Sequence, residues 1–176
     1  FGDIKFYVTE KLDGTSATFY NKDGRFGVCS RNLDLIETEG NTHWQIAKRY
    51  HLEEILPDNY CIQGEIVGHG IQQNPLKFVG QELYIFNVYK IDTGEYLGLT
   101  QMEEVCRTLG LKTVPIISRD FSPILNIEYL LRVATNKSVI CDTAYREGLV
   151  YRDVNGGTDR VSFKVISNEY LLKHDQ

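Results

Sequence analysis

The side chain with the clearest capacity for covalent chemistry in this sequence is that of Lys11. It follows a strand-like run of apolar residues, and Asp13 and Gly14 come almost directly after it. A lysine amine attacks only in its neutral form, which burial or cationic neighbours favour. Asp-Gly is also a common turn pair, so this block alone would equally suit an ordinary surface turn.

Five further short blocks lie along the rest of the chain, each next to or inside a predicted strand. In chain order they are Ser30-Arg31-Asn32, Gly64-Glu65-Ile66-Val67-Gly68, Tyr84-Ile85-Phe86, Glu147-Gly148-Leu149-Val150 and Ser162-Phe163-Lys164-Val165. Each block is weakly specific when it stands alone. Six blocks in a fixed order over a domain-sized span are far more specific than any one of them.

Together, the six blocks resemble the motifs of the covalent nucleotidyltransferase superfamily, which holds ATP-dependent RNA ligases, DNA ligases and messenger-RNA capping enzymes. The resemblance runs from Lys11 to about Lys173. It is most detailed for the RNA ligase branch whose catalytic domain ends in a segment similar to residues 162–173. The resemblance implies a nucleotidyltransferase (ATP-grasp-like) ligase catalytic domain.

The reaction implied by the resemblance is attack of the Lys11 amine on the α-phosphorus of ATP. The products would be lysyl-AMP and pyrophosphate; AMP would then pass to an RNA 5′-phosphate, and a 3′-hydroxyl would seal the end. Phosphoryl transfer asks a protein mainly for positioning and charge stabilisation. Mg²⁺ or Mn²⁺ and the ammonium of Lys164 are the expected cations, and Lys164 is also expected to contact the α-phosphate.

Three carboxylates are assigned roles by the same resemblance. Glu65 is expected to bind the ribose hydroxyls, and Glu147 to hold the metal through its hydration shell, since Mg²⁺ keeps most of its waters. Asp13 is expected to organise the turn or a metal-bound water, and Gly14 to let the backbone approach the nucleotide. Of these carboxylates, Glu65 least resembles an ordinary solvated side chain, because it lies among apolar residues and glycines.

The adenine is expected to stack on Phe86, with Tyr84 on the same strand face as the alternative. Either could instead be a plain core aromatic. By resemblance Glu10 reads the adenine amino group and Arg31 contacts ribose and phosphate. Further candidates are Ser16, Asn32, Arg146 and Arg152.

One position departs from the pattern that the chain resembles. Most RNA and DNA ligases carry two lysines, separated by one residue, in the last motif, whereas the first of these positions is Ser162 here. One phosphate-binding cation is therefore missing from the expected set.

The elements that would position these residues favour an α+β fold with antiparallel β-sheets flanked by helices, because strands outnumber helices and short turns join many neighbours. A hairpin is predicted around the turn at 21–24, and a second pair of strands around the Gly-rich turn at 153–159. Helices are predicted over 42–56, over about 100–109 with a Thr100–Glu103 capping box, around 127–134 and from about 168.

Composition limits the partners that are expected. The chain has 176 residues and a formal charge of −5, so no global positive field would attract a polyanion. Its apolar runs are too short to span a membrane, and its four cysteines have no metal-binding spacing. We expect an intracellular monomer of the cytoplasm or nucleus, with buried free thiols.

The chain begins at Phe1 without a Met. In the branch that it resembles, an oligonucleotide-binding (OB) domain precedes the catalytic domain. We therefore expect residues 1–176 to form the nucleotidyltransferase (adenylyltransferase) domain, with an accessory OB domain outside this chain.

Two alternatives within the superfamily remain at this stage, a DNA ligase core and an mRNA-capping guanylyltransferase. An alternative of another class is a nucleotide-binding module that has lost catalysis. The presence of both lysines, Lys11 and Lys164, beside Glu65 and Glu147 argues against that module, since a pocket freed from chemistry has little need of them.

Overall fold

Two β-sheets form the framework of the protein, and helices cover their outer faces. The computed structural model describes residues 2–122 and 126–174, so Phe1 lies outside the described residues. The strands are β1 Phe6–Lys11, β2 Thr15–Lys22, β3 Arg25–Cys29, β4 Tyr60–Gly68, β5 Gln81–Lys90, β6 Glu95–Tyr96, β7 Lys112–Thr113, β8 Ile116–Phe121, β9 Gly148–Asp153 and β10 Ser162–Ile166. The helices are α1 Thr42–Arg49, α2 Leu52–Ile55, α3 Leu99–Leu109, α4 Ile127–Ala134 and α5 Asn168–His174.

The first sheet has the order β10-β9-β1-β8, and all its neighbours are antiparallel. Strand β1 lies inside this sheet and is buried on both faces. Phe6 and Val8 pack with Leu130 of α4 on one face, while Tyr7 joins the core of the second sheet on the other. Full burial of such a side chain contributes about 1.5–3 kcal/mol, so β1 is firmly fixed between the two layers.

The second sheet follows the order β3-β2-β4-β5-β6, and the short strand β7 pairs in parallel with β5. Its core includes Phe19, Ile62 and Ile85, together with Met102 and Cys106 of α3. Both predicted strand pairs are present, β2–β3 across residues 23–24 and β9–β10 across the 154–161 segment. The predicted α+β class with mostly antiparallel sheets is confirmed, and β7 is the parallel exception.

Two helix predictions were wrong in detail. The predicted helix over 42–56 is interrupted, because His51 adopts a left-handed conformation with φ 55° between α1 and α2. Helix α3 begins at Leu99 after Gly98, without a side-chain cap, so the Thr100–Glu103 capping box does not form. Glu103 instead accepts two hydrogen bonds from the Arg119 guanidinium, at 2.9 and 2.6 Å. A bidentate guanidinium–carboxylate pair outcompetes a local cap.

Two other expectations concern the whole chain. Among the described residues, no helix has the length and apolar character needed to cross a bilayer. All four cysteines are free thiols, as expected, but only Cys61 and Cys106 are buried, whereas Cys29 and Cys141 are partly exposed.

Candidate active site

A cavity of about 340 Å³ opens between the two sheets, and five of the residues that were assigned a role from the sequence line it. They are Glu10 and Lys11 at the end of β1, Glu65 on β4, Phe86 on β5 and Lys164 on β10. Residues that are as many as 154 positions apart in sequence are thus brought to one place by the pairing of β1 with β9 and of β9 with β10. Glu147, Asp13 and Arg31 do not line the cavity itself.

Lys11 and Glu147 form an ion pair at the mouth of this cavity. The Nζ of Lys11 donates a hydrogen bond to Oε2 of Glu147 at 3.1 Å, and both side chains are largely shielded from solvent, with exposed fractions of 25% and 18%. The pair follows from strand register, because Lys11 lies opposite Gly148. Glu147 is therefore within reach of any proton that the amine gives up.

Carboxylates are concentrated around this ion pair. Burial raises the pKa of the Glu65 carboxyl to about 7; the charges of Glu147 and Asp13 act in the same direction, and those of Lys11 and Arg31 oppose them. Burial likewise raises the pKa of Glu147, although Lys11 and Lys164 oppose the shift. Accumulated negative charge of this kind, in a partly desolvated place, favours a cationic guest.

The residues around the ion pair show whether the site fits the divalent metal that the family resemblance implies. In the part of the chain that the structure describes, no group of three or more His, Cys, Asp or Glu side chains is arranged to hold an ion directly. Glu147 and Asp13 do influence the same Glu65 carboxyl, so negative charge converges on one place from separate elements. This arrangement fits an ion that is bound to phosphates and held by the protein through water.

The turn after Lys11 is fixed from two sides. The hydroxyl of Tyr170, on α5, donates a hydrogen bond to Oδ2 of Asp13. A Cβ at Gly14 would lie 2.1 Å from the carbonyl oxygen of Ile66. Close packing against β4 therefore requires a glycine at this position; the expectation that Gly14 lets the backbone approach the nucleotide stays a prediction.

Glu10 is almost completely buried, with an exposed fraction of 1%. Its carboxylate accepts one hydrogen bond from the Ser138 hydroxyl at 2.6 Å and another from the Val139 backbone N–H at 2.7 Å. Ser138 and Val139 were not found from the sequence. No local pattern marks them, since their partner lies 128 and 129 positions away.

The inner part of the cavity is lined by Arg152 and Thr9, and both are at least nine-tenths buried. The Arg152 guanidinium lies over the Phe86 ring, 5.4 Å from its centroid, and makes no hydrogen bond or ion pair with any described residue. The hydroxyl of Thr9 is also buried without a partner. Burial lowers the pKa of Arg152 to about 10, so it remains a cation at neutral pH. Arg152 was only a minor candidate in the sequence.

The aromatic alternatives separate clearly. Phe86 lines the cavity. Tyr84 instead packs against Phe78, with ring centroids 6.0 Å apart, and lies beneath the Lys112 ammonium. Of these two alternatives, Phe86 is therefore the one that lines the cavity.

The remaining predicted residues lie at the rim or elsewhere. Lys164 is exposed on the edge strand β10, but its side chain lines the cavity, and Ser162 beside it lies opposite Arg152. Arg31 is exposed and acts on Glu65 only through its charge. Arg146 donates to the carbonyl oxygens of Ala134 and Val133, so it caps α4 rather than serving the cavity.

Comparison with known proteins places this geometry in a family. The family model described as RNA ligase matches residues 4–166. The chain therefore belongs to the RNA ligase family. No curated protein matches the chain.

Solved structures of Naegleria gruberi RNA ligase are similar to this chain over almost its whole length. A lysine-to-alanine mutant with ATP and Mn is 38% identical with a TM-score of 0.90, and the match covers 98% of this chain and 52% of that one. The enzyme with PPi is 39% identical with a TM-score of 0.89, and the same shares are covered. A glutamate-to-alanine mutant with AMP and Mn is 38% identical with a TM-score of 0.90, covering 99% and 53%. The chain thus spans about half the length of these solved chains.

Proposed function

We propose that this chain is the catalytic nucleotidyltransferase domain of an ATP-dependent RNA ligase. The observation that carries the proposal is the convergence of Lys11, Glu147, Glu65 and Lys164 around one cavity that is large enough for part of a nucleotide. Membership of the RNA ligase family supports the reaction type. We also propose that residues 1–176 act together with an accessory OB domain elsewhere in the full-length protein.

In the first step the neutral amine of Lys11 attacks the α-phosphorus of ATP. A new N–P bond forms, the bond from the α-phosphorus to the bridging oxygen breaks, and pyrophosphate leaves with that oxygen. Glu147 Oε2, 3.1 Å from Nζ, accepts a hydrogen bond from the amine and lies within reach of its proton. The pKa of Glu147 is raised by burial, which makes its carboxylate a better proton acceptor.

Positive charge is needed where the phosphate oxygens gain negative charge. Lys164 supplies one cation at the cavity rim. A divalent ion, Mg²⁺ or Mn²⁺, supplies further charge stabilisation when bound to the phosphates. Glu147 and Asp13 would hold it through water.

The rest of the nucleotide is assigned to the walls of the cavity. The adenine stacks on Phe86, and Arg152 and Glu10 line the cavity beside it. Glu65 accepts hydrogen bonds from the ribose hydroxyls, and Arg31 approaches ribose and phosphate from the exposed side. Both oxygens of Glu10 already accept hydrogen bonds from residues 138–139, so Glu10 contacts the base with its remaining lone pairs.

In the later steps AMP passes from Lys11 to an RNA 5′-phosphate, and a 3′-hydroxyl displaces AMP to form the phosphodiester. Each step exchanges one phosphorus–oxygen or phosphorus–nitrogen bond for another and needs no further co-reactant. The same cavity serves these steps because the α-phosphate of AMP is the group that is transferred.

The test is to incubate the protein with ATP labelled at the α-phosphate and with Mg²⁺ or Mn²⁺. We expect covalent label on the protein, and a mass gain of roughly 329 Da on the peptide that contains Lys11, as the lysyl-AMP bond requires. A 5′-phosphorylated RNA added afterwards should take up the label, whereas the matching DNA should take up less.

The control is Lys11→Ala beside Lys22→Ala, an exposed lysine at the far end of β2. Label that persists in Lys11→Ala would show that Lys11 is not the nucleophile. Label taken from GTP alone would instead indicate a guanylyltransferase.

A further inference from the structure

A second and larger opening of about 940 Å³ lies on the surface beside the Lys11 turn, and none of the roles assigned above uses it. We call it the Lys77 groove. Its walls are the loop at 73–77, residues 143–145 and helix α5 from Glu169 to Lys173. These segments come from three distant parts of the chain.

The groove is joined to the nucleophile turn by two hydrogen bonds. Gln72 Nε2 donates to the carbonyl oxygen of Gly14 at 3.3 Å, and the Tyr170 hydroxyl donates to Asp13. Across the groove, Lys77 Nζ donates to Thr143 Oγ1 at 2.9 Å and ties two of the walls together. A long ligand lying in the groove would therefore end close to Lys11.

The side chains around the groove suit a polyanion with bases. Lys77 and Lys173 line it, and Glu169 is the one carboxylate among the described residues that do so. Tyr145 also lines it with 49% of its surface exposed, and the Lys137 ammonium lies 4.2 Å from the centroid of its ring. These three lysines cluster on a chain whose formal charge is −5.

We propose that the Lys77 groove binds the RNA strand next to the end that is joined. Lys77 and Lys173 contact phosphate oxygens of the strand, and Tyr145 stacks on an unpaired base. The inference rests on the proposed function, because the RNA placed in the groove is the strand whose 5′-phosphate receives AMP in that function. It places part of the grip on RNA within this chain, in addition to any accessory domain.

The experiment compares Lys77→Ala/Lys173→Ala with the control Lys22→Ala/Lys90→Ala. Both double variants change the charge equally, but the control lysines lie where β2, β4 and β5 meet, at the end of the second sheet away from Thr15. Binding of a fluorescent 5′-phosphorylated single-stranded RNA is measured by anisotropy over a range of salt concentrations. Formation of lysyl-AMP is measured in the same preparations, without RNA.

The groove variant should bind RNA about tenfold or more weakly, with a salt slope reduced by about 1.4, since each single-strand phosphate contact contributes about 0.7. Its rate of lysyl-AMP formation should stay within about twofold, and the control should match the wild type in both assays. Tyr145→Leu should lose about tenfold in affinity with an unchanged salt slope, as stacking implies. Glu169→Gln should bind RNA a few-fold more tightly because it removes a repelling carboxylate.

Unchanged RNA affinity and salt slope in Lys77→Ala/Lys173→Ala would overturn the proposal, and that is the result expected if a protein segment fills the groove instead. An equal loss in the Lys22→Ala/Lys90→Ala control would also overturn it. The two failures are distinguishable, because absence of lysyl-AMP in the wild type contradicts the proposed function while RNA binding still tests the groove.

Discussion

The charged side chains at the two ends of the cavity have different partners. At the outer end, Lys11 and Glu147 neutralise each other at 3.1 Å, with Glu65 close by. At the inner end, Arg152 is buried over the Phe86 ring without an ionic or hydrogen-bonding partner among the described residues. At the outer end the ammonium is paired with a carboxylate, whereas at the inner end the contact of the guanidinium among the described residues is with the Phe86 ring.

This difference has a physical meaning. Burying an unpaired charge costs folding free energy, whereas a paired charge recovers much of that cost. A protein keeps an uncompensated group mainly where a ligand will satisfy it. In the proposed function, bond making is therefore assigned to the outer end and recognition of the nucleotide to the inner end.

The largest effect should come from breaking the pair at the outer end. Glu147→Ala should slow lysyl-AMP formation by about 10³-fold, because it removes the acceptor beside Nζ and a carboxylate that would hold the metal. Single-turnover labelling with α-labelled ATP measures the rate. Glu53→Ala, at an exposed carboxylate of α2, should leave it unchanged. A rate within threefold of the wild type in Glu147→Ala would contradict the assignment.

At the inner end, Arg152→Met should raise stability and lower nucleotide affinity at the same time. Removal of a buried unpaired cation should increase the free energy of unfolding by about 1–4 kcal/mol, while the KM for ATP rises at least about tenfold. Denaturant unfolding and labelling kinetics measure the two quantities.

Arg160→Met is the matched control for that variant. Arg160 donates to Asn87 Oδ1 at 2.8 Å and lies over the Tyr96 ring, so its loss should lower stability. If both variants change stability in the same direction, the contrast between the paired and unpaired guanidinium is wrong.

The pH dependence of stability should reveal the burial of Glu65, whose effect the charges of Glu147 and Asp13 reinforce. Its pKa is raised from 4.5 to about 7, so the folded state binds the proton more tightly than the unfolded state. Stability should therefore fall as pH rises from about 4.5 to 7, by about 1–3 kcal/mol for this group. Glu65→Gln should remove that part of the slope in urea titrations without nucleotide. An identical slope in both proteins would show that Glu65 is not desolvated as described.

The smallest effect is expected at the support of Glu10. Ser138→Ala deletes the 2.6 Å hydrogen bond to the buried carboxylate and should lower stability by about 1–2 kcal/mol. Ser122→Ala, whose hydroxyl accepts from Lys5 on the exposed surface, should change it by less. Equal losses in the two variants, measured by thermal unfolding, would argue against a special role for the buried contact.

The sequence predicted the parts of the site that depend on strand order and motif spacing. The cavity is lined by five residues in or next to predicted strands, namely Glu10, Lys11, Glu65, Phe86 and Lys164. They could be singled out because the apolar pattern of each strand is clear in the sequence. Long-range polar contacts were not predictable in this way. The Ser138–Glu10 hydrogen bond forms between residues 128 positions apart. The lack of a hydrogen-bonding partner for Arg152 among the described residues likewise depends on which distant side chains lie near it.

Local rules also failed where a distant partner competed. Thr100 and Glu103 have the spacing of a capping box, but Arg119 takes the Glu103 carboxylate from a neighbouring strand. His51 interrupts a helix whose apolar spacing continues through it, and no residue pattern marked the break. The close contact of Gly14 with Ile66 of β4 is a further long-range requirement that the sequence did not reveal.

The position of β1 in its sheet has a consequence for how the protein is made. Lys11 leaves the ribosome well before the strands that flank β1, which are formed by residues 116–121 and 148–153. At a synthesis rate of about 5–20 residues per second, β1 remains without its neighbouring strands for roughly 10 s. A nascent chain therefore cannot form the proposed nucleotide cavity until β9 has emerged. Until then, β1 is an unpaired apolar segment that chaperones would have reason to cover.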